Sequence, residues 1–199
     1  MKKFKTEFSH KERRYIVEDE GQIVHILAAL SSHHPVQEYH IHTTYLDTEN
    51  RTWSRYSKGI KAEDKLRLRS YNHDFENRWF EVKHREPNGQ VTKRRQPFVP
   101  ERDGWIERML VPVAEVHYDR QAYEWRGLRV TIDRNLHSAT DETPLNFWIV
   151  EIKTKNKVPK WFQPYVPTQL DEEWSKSKWS LSVIDFKSRM KRRLGQESE

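Results

Sequence analysis

Charged and apolar residues alternate along several short segments of the chain. Between Lys65 and Arg69, charged residues occupy every second position and leucines lie between them. The same alternation occurs in five further segments, at residues 10–14, 79–85, 93–95, 129–133 and 148–153. Successive side chains of a β-strand point to opposite faces of the sheet. Each segment is therefore predicted to be a strand with one charged face and one apolar face.

Helical patterns are few by comparison. The spacing of apolar residues predicts amphipathic helices at Gln22–Leu30, at about Thr168–Lys176 and at about Val183–Leu194, the last forming a basic C-terminal helix within residues 180–195. Closing the sheet on itself, with charged faces inside and apolar faces under the helices, would satisfy both faces and remove the strand edges. The pattern thus predicts an α+β protein, mainly β, whose antiparallel sheet forms a closed β-tunnel with a few flanking helices.

The composition is typical of one domain that binds an anionic partner. The chain has 199 residues, eight each of Trp, Tyr and Phe, and no Gly- or Ser-rich linker, so we expect a single domain over residues 1–199. Its net charge of +6 suggests nucleic acid, a membrane surface, a nucleotide or polyphosphate as partner. Cysteine is absent, which excludes disulfides and thiolate metal sites.

No stretch of the sequence approaches the roughly 20 apolar residues that a membrane-spanning helix needs. The N-terminal residues, MKKFKTEFSHKERR, lack the apolar region of a signal peptide. We therefore expect a cytoplasmic protein.

The charged faces carry far more cations than carboxylates. Eleven Lys and Arg residues are expected to point into the tunnel and to bind phosphate: Arg14, Lys65, Arg67, Arg69, Lys83, Lys93, Arg95, Arg120, Arg129, Lys153 and Lys178. The carboxylates of these faces are Glu12, Glu81, Asp133 and Glu151, which leaves an excess of about seven positive charges. Confined positive charge is destabilising unless a polyanion neutralises it, and Arg binds phosphate oxygens in bidentate fashion. The carboxylates can hold Mn²⁺ or Mg²⁺, and we expect Glu151, Glu12 and Glu81 to be the metal ligands.

A set of motifs in this order resembles the VTC domain of polyphosphate polymerases, a branch of the triphosphate tunnel metalloenzymes related to CYTH-type triphosphatases and adenylyl cyclases. The motifs are Glu12-Arg13-Arg14-Tyr15, Thr44-Tyr45-Leu46-Asp47-Thr48, Lys65-Leu66-Arg67-Leu68-Arg69-Ser70-Tyr71, Glu81-Val82-Lys83 with Lys93-Arg94-Arg95, Tyr118-Asp119-Arg120-Gln121-Ala122-Tyr123, Arg129-Val130-Thr131-Ile132-Asp133, Val150-Glu151-Ile152-Lys153 and Ser177-Lys178-Trp179-Ser180.

The resemblance implies an eight-stranded antiparallel tunnel with a nucleoside triphosphate at its centre. By analogy with the family, the metal is bound by Glu151 and the phosphates are bound by Arg14, Arg67, Arg69, Lys83, Arg120, Arg129 and Lys178. Among these cations we expect Arg69, Arg129 and Lys178 to be catalytic. The implied reaction transfers the γ-phosphate of ATP onto a growing chain of inorganic polyphosphate, with ADP leaving.

Other functions remain open at this point. Tunnel hydrolases begin with an E-x-E-x-K strand, whereas His10 stands two residues before Glu12 here, which disfavours hydrolysis. The alternatives are a tripolyphosphatase or nucleoside triphosphatase on the same scaffold, and a catalytically silent domain that binds polyphosphate or a nucleotide. An RNA-binding sheet is disfavoured because carboxylates two residues from a lysine would repel a nucleic-acid backbone. The membrane and accessory domains of eukaryotic polymerase subunits are not encoded here, so a membrane or accessory partner would come from another chain.

Overall fold

A computed structural model describes residues 11–32, 37–49, 63–85, 91–138, 144–154 and 157–168. Over these residues the chain is mainly β, with two α-helices and one short 3₁₀ turn. The elements are β1 (Lys11–Val17), α1 (Glu20–Ser31), β2 (Gln37–Asp47), β3 (Glu63–Tyr71), β4 (Trp79–Arg85), β5 (Val91–Pro97), α2 (Pro100–Met109), β6 (Val111–Trp125), β7 (Leu128–Ser138), β8 (Trp148–Thr154) and the 3₁₀ turn Gln163–Tyr165.

The eight strands belong to one sheet in the order β1-β8-β7-β6-β2-β3-β4-β5. The pairs whose register is defined are all antiparallel, which agrees with the predicted antiparallel sheet. The chain divides into two compact units. The central unit contains the described residues from Ile41 to Glu115, and the terminal unit contains Lys11–His40 and the described residues from Val116 onward. Closure of the sheet and a single domain over the whole chain both stay predictions.

The core of the terminal unit forms between α1 and the apolar strand faces. The helix buries Ile23, Ile26 and Leu30, and these residues belong to the same core as Tyr15 and Val17 of β1. Burial of such a side chain contributes about 1.5–3 kcal/mol. The helix predicted over Gln22–Leu30 is thus confirmed. It begins two residues earlier because the Asp19 carboxylate accepts a hydrogen bond of 2.8 Å from the Gly21 amide.

The core of the central unit forms between β2, β3 and α2. Its buried residues are Leu46, Leu66, Leu68, Phe98, Ile106 and Leu110. The sequence pattern did not predict α2, because Ile106 is the one apolar residue of this helix that is buried. The N-terminus of α2 is fixed instead by Pro100 in its first turn and by Asp103, whose carboxylate accepts a 3.0 Å hydrogen bond from the Val99 amide. The two further predicted helices lie outside the described residues, apart from Thr168 at the start of the first.

The turn between β6 and β7 aligns the charged residues of the terminal unit. Arg126 and Gly127 connect the paired residues Trp125 and Leu128, and both have positive φ, of 40° and 83°. Two-residue hairpins with positive φ at both positions match the twist of the flanking strands, and glycine reaches that φ without strain. The resulting register places Arg120 opposite Asp133, although the pairing shifts by one residue at a bulge nearer the start of β6.

Candidate functional site

Two clusters of charged side chains lie on the sheet, one in each unit. The first, here called the Glu81 cluster, consists of Lys65, Arg67, Arg69, Glu81, Lys83, Lys93 and Arg95 on β3, β4 and β5. The register places six of these residues in two rows across the three strands, Arg67–Glu81–Arg95 and Lys65–Lys83–Lys93, and Arg69 lies two residues beyond Arg67 on the same face of β3. Directly opposite residues share a face, so the described side chains of this face on β3, β4 and β5 comprise six cations around one carboxylate.

Glu81 lies at the centre of its cluster and is 0% exposed. Its Oε2 accepts a 2.6 Å hydrogen bond from Arg67 Nε and lies 3.6 Å from Arg69 Nη1, while Oε1 lies 2.5 Å from Lys93 Nζ. Burial alone would raise the pKa of this carboxyl group. Attraction by Arg67, Arg69 and Lys93 outweighs burial and holds the pKa of Glu81 well below its usual range. The carboxylate is therefore ionised and neutralises part of the surrounding positive charge.

The cations of the Glu81 cluster are held by more than their carboxylate. Arg69 donates a 3.0 Å hydrogen bond from Nε to Thr43 Oγ1 on β2, and the Arg95 guanidinium stacks 4.0 Å from the centre of the Trp79 ring. Burial, reinforced by repulsion from the two neighbouring arginines, lowers the pKa of Lys93 well below its usual range, and Glu81 opposes this shift. Protonated Lys93 therefore depends on a nearby anion.

The second cluster, here called the Glu151 cluster, consists of Arg14, Arg120, Thr131, Asp133, Glu151 and Lys153 on β1, β6, β7 and β8. Arg14 pairs with Glu151 in the β1–β8 register, and Glu151 pairs with Thr131 in the β7–β8 register. Arg14 donates to Glu151 Oε1 twice, from Nε at 3.0 Å and from Nη2 at 2.7 Å. Lys153 Nζ and Arg120 Nη2 lie 3.6 Å and 3.9 Å from the other oxygen, Oε2. Glu151 is thus buried among three cations.

Asp133 is the second carboxylate of the Glu151 cluster. Arg120 binds it in bidentate fashion, through Nε to Oδ1 at 2.6 Å and Nη2 to Oδ2 at 2.8 Å. Burial would lower the pKa of Arg120, but attraction by Asp133, with smaller contributions from Tyr118 and Glu151, raises it well above its usual value. The buried Thr131 Oγ1 has no hydrogen-bond partner among the described residues. This hydroxyl beside Glu151 is therefore able to bind a further polar group.

The structure places eleven of the predicted site residues in one of the two clusters: Arg14, Lys65, Arg67, Arg69, Glu81, Lys83, Lys93, Arg95, Arg120, Glu151 and Lys153. Arg129 lies on the same face of β7 as Thr131, opposite Lys153, but its side chain is exposed. Glu12 lies opposite Lys153 in the β1–β8 register, and its side chain falls outside the described part of the chain, as do Lys178 and His10. The roles assigned to all these residues stay predictions.

Sequence patterns missed several neighbours of the clusters. Thr43 and Trp79 contact Arg69 and Arg95, yet a lone threonine and an aromatic residue on a strand carry no distinctive signal. Two histidines of β2 also have carboxylate partners. His40 Nδ1 lies 2.9 Å from Asp119 Oδ1, and His42 Nε2 lies 3.5 Å from Glu115 Oε1. Asp119 is 79 residues from His40 and Glu115 is 73 residues from His42, so each pair comes together only in the folded sheet.

Within the described residues, no group of three or more His, Asp or Glu side chains could hold a metal ion. Mg²⁺ beside phosphates is usually bound through one or two carboxylates, substrate oxygens and water. Glu151, with its two oxygens and the Thr131 hydroxyl beside it, fits a metal ion of this kind. Glu81 fits less well because it is 0% exposed and each of its oxygens is in close contact with a cation, Arg67 Nε at 2.6 Å and Lys93 Nζ at 2.5 Å, whereas Lys153 and Arg120 stand 3.6 Å and 3.9 Å from Glu151 Oε2.

Several solved structures share the fold of this chain. A candidate adenylate cyclase from Bacillus halodurans has a TM-score of 0.56 at 12% identity, covering 87% of this chain and 100% of its own. A candidate adenylyl cyclase from Hippeastrum, described as having a dominant triphosphatase activity, has a TM-score of 0.53 at 14% identity, covering 75% and 80%. The Mediator head module of Schizosaccharomyces pombe has a TM-score of 0.50 at 13% identity, covering 96% and 97%. At such low identity these likenesses show the fold alone.

The eight-stranded antiparallel sheet and its flanking helices define the fold class that these structures share. Within that class the chain belongs to the VTC domain family, whose model matches residues 9–103 and 101–185. The resemblance of the ordered motifs to this family is thereby confirmed. No curated protein matches the sequence. None of the helices in the described ranges is long and apolar enough to cross a membrane.

Proposed function

We propose that the chain is a metal-dependent polyphosphate polymerase that transfers the γ-phosphate of ATP onto a growing chain of inorganic polyphosphate. The observation that carries the proposal is the environment of Glu151, a buried carboxylate held by Arg14, Lys153 and Arg120. The resemblance to the VTC domain family implies that this residue is the metal-binding carboxylate. A site for a metal–triphosphate complex needs this combination, because the complex presents a divalent cation and several phosphate oxygens at once.

Glu151 would hold the metal ion, Mn²⁺ or Mg²⁺, and Thr131 lies beside it. When bound, the metal would neutralise charge on the triphosphate and so favour the departure of ADP from the γ-phosphoryl group. The remaining contribution of this cluster comes from its own cations. Arg14, Arg120 and Lys153 are already ordered by carboxylates, so little reorganisation is needed when negative charge accumulates on the transferred phosphoryl group.

In the proposed reaction an oxygen of a phosphate or of a polyphosphate end forms a bond to the γ-phosphorus of ATP, and the bond to the oxygen of ADP breaks. No protein nucleophile is required, because positioning and charge stabilisation supply most of the catalysis of phosphoryl transfer. The Glu81 cluster supports an anionic chain as substrate. Its six cations face a single described carboxylate, and polyphosphate carries about one charge per phosphate at neutral pH.

The second candidate is a triphosphatase, in which water replaces the polyphosphate end as acceptor. It is favoured by the Hippeastrum structure, which is described as having a dominant triphosphatase activity and shares the fold. It is disfavoured by His10, which stands where the tunnel hydrolases carry a carboxylate able to orient water. A silent domain that binds polyphosphate or a nucleotide would keep the same clusters without turnover.

The test is an incubation of the purified protein with ATP and Mn²⁺, in which ³¹P NMR follows ADP, free phosphate and polyphosphate together. The proposal expects ADP with polyphosphate, and expects Glu151→Gln to abolish both products while circular dichroism stays unchanged. ADP with an equal amount of free phosphate would replace the polymerase by the triphosphatase. No turnover, with a higher melting temperature in tripolyphosphate, would leave a binding domain. Full activity of Glu151→Gln would contradict the metal assignment.

A further inference from the structure

The Arg14–Glu151 pair blocks two of the groups that the proposed function needs. Two nitrogen atoms of Arg14, Nε and Nη2, donate to the same carboxylate oxygen, Glu151 Oε1, at 3.0 Å and 2.7 Å. The pair is largely withdrawn from water, with side-chain exposures of 16% and 6%. A divalent cation on this carboxylate would stand against the Arg14 guanidinium, so the two positive charges compete for one anion. Conversely, a phosphate that takes Arg14 must draw it away from Glu151.

Separating Arg14 from Glu151 with the metal alone or the phosphate alone has a high free-energy cost. Metal alone would separate the partly buried Arg14 cation from Glu151, and phosphate alone would take from the Glu151 carboxylate its 2.7 Å contact with Arg14, while Lys153 and Arg120 lie 3.6 Å and 3.9 Å from it. An uncompensated buried charge is strongly destabilising. A metal–triphosphate complex brings a cation for Glu151 and an anion for Arg14 in the same binding event, so both charges keep a partner.

We propose that Arg14 and Glu151 form an exchange pair that makes the site selective for the metal–triphosphate complex over the free metal and the free triphosphate. This inference rests on the proposed function and names its substrate as the complex. In the bound state the metal replaces Arg14 at Glu151, and Arg14 donates to phosphate oxygens instead. Selectivity arises because the free metal must compete with Arg14 for Glu151, and the free triphosphate must compete with Glu151 for Arg14.

The exchange predicts opposite effects of one substitution on the two free ligands. Arg14→Gln removes the competitor of the metal, so Mn²⁺ alone should bind at least about tenfold more tightly than to the unaltered protein, as followed by the EPR signal of free Mn²⁺. The same variant should bind tripolyphosphate in EDTA more weakly by isothermal titration calorimetry. Glu151→Gln should do the reverse, tightening metal-free tripolyphosphate and weakening Mn²⁺.

A change in net charge alone would also strengthen Mn²⁺ binding, and two variants separate this effect from exchange. Arg129→Gln also removes one positive charge from this face of the sheet, but from an exposed position on β7. The affinity for Mn²⁺ should therefore change by no more than about twofold. Arg14→Lys keeps the charge and loses the two converging donors, so it should still tighten Mn²⁺ measurably. This variant also decides the matter if Arg14→Gln does not fold by circular dichroism.

The exchange pair is refuted if neither Arg14 variant tightens Mn²⁺ beyond Arg129→Gln, or if Glu151→Gln weakens metal-free tripolyphosphate. These are binding measurements and do not depend on turnover. A polymerase without the opposite effects would keep the proposed function and lose the exchange pair. The opposite effects in a protein that turns over no ATP would keep the exchange pair and exclude the polymerase.

Discussion

The Glu81 cluster and the Glu151 cluster use similar residues in different proportions. In the Glu81 cluster the described side chains include six cations and one carboxylate, which is fully buried and contacted by Arg67, Arg69 and Lys93. In the Glu151 cluster three cations accompany two carboxylates, and Arg14 and Arg120 each make two hydrogen bonds to a carboxylate. The first cluster has a large excess of positive charge, whereas the second is close to balance.

This difference assigns different chemistry to the two clusters. A balanced cluster is stable by itself and responds to a ligand that carries both signs of charge. A cationic cluster with one buried anion is stable only as far as that anion holds it together, and it gains stability from any polyanion. The two carboxylates should therefore differ in what their loss does: Glu81 in stability, Glu151 in metal binding.

The largest expected effect is the loss of stability in Glu81→Gln. Removing the one charge that Arg67, Arg69 and Lys93 share leaves buried cations uncompensated, and we expect a cost of about 3–5 kcal/mol in the free energy of unfolding. Urea denaturation followed by circular dichroism measures it. Glu151→Gln should cost clearly less, because Asp133 remains as a second carboxylate in the Glu151 cluster and binds Arg120 through two hydrogen bonds.

The matched control is the double variant Glu81→Gln with Lys93→Met. Removing one cation along with the anion lowers the repulsion, so the double variant should regain part of the lost stability. Equal stabilities for the two single variants at Glu81 and Glu151 would abolish the contrast between the clusters.

A smaller effect is expected for phosphate binding by Arg67. Arg67→Ala should weaken binding of metal-free tripolyphosphate by about 1.5–3 kcal/mol, the contribution of a hydrogen bond to a charged group. Isothermal titration calorimetry in EDTA measures it. Arg78→Ala is the control, because Arg78 forms a comparable ion pair of 2.9 Å with Glu107 outside the cluster. If Arg67→Ala and Arg78→Ala bind tripolyphosphate with equal affinity, Arg67 is not part of the phosphate site.

The smallest effect concerns acid. Because the pKa of Glu81 is depressed in the folded state, its stabilising contribution is complete above its unfolded pKa of about 4.3 and is lost as the pH falls below that value. Each pH unit corresponds to about 1.4 kcal/mol, so this group should lower the free energy of unfolding by roughly 1.5 kcal/mol between pH 5 and pH 3.

Urea denaturation at pH 5, 4 and 3 measures the acid effect. In Glu81→Gln the loss between pH 5 and pH 3 should be smaller by about that amount. The same slope in both proteins would show that Glu81 keeps an ordinary pKa, contrary to its contacts with three cations.

The alternation of charged and apolar residues predicted most of the strands, because a half-buried strand records its two faces directly in the sequence. The segment predicted over residues 79–85 coincides with β4, Trp79–Arg85. The same signal does not report α2, where Asp103 is the other buried residue beside Ile106. Nor does it report the register shift between His117 and Asp119, because an extra residue in one strand is visible only against its partner strand.

For the candidate site, the sequence predicted which side chains share a face, but not which of them touch. Arg14 and Glu151 are 137 residues apart, and their contact depends on the β1–β8 register, which alternation does not determine. Arg129 satisfies the alternation as well as Thr131 does, yet it is the second residue of β7 and is exposed. Position along the strand, rather than the face alone, separates a buried charge from a solvated one.

The lysine row of the Glu81 cluster has a kinetic consequence. Lys65, Lys83 and Lys93 lie directly opposite one another on adjacent strands about 4.8 Å apart, where like charges repel and destabilise the sheet. The same row projects a concentrated positive potential, which accelerates diffusional encounter with an anion by about 10- to 1,000-fold. Ionic strength should therefore slow the association of a polyanion with this sheet far more than it speeds its release. The same three positive charges thus destabilise the sheet and accelerate binding of the anion.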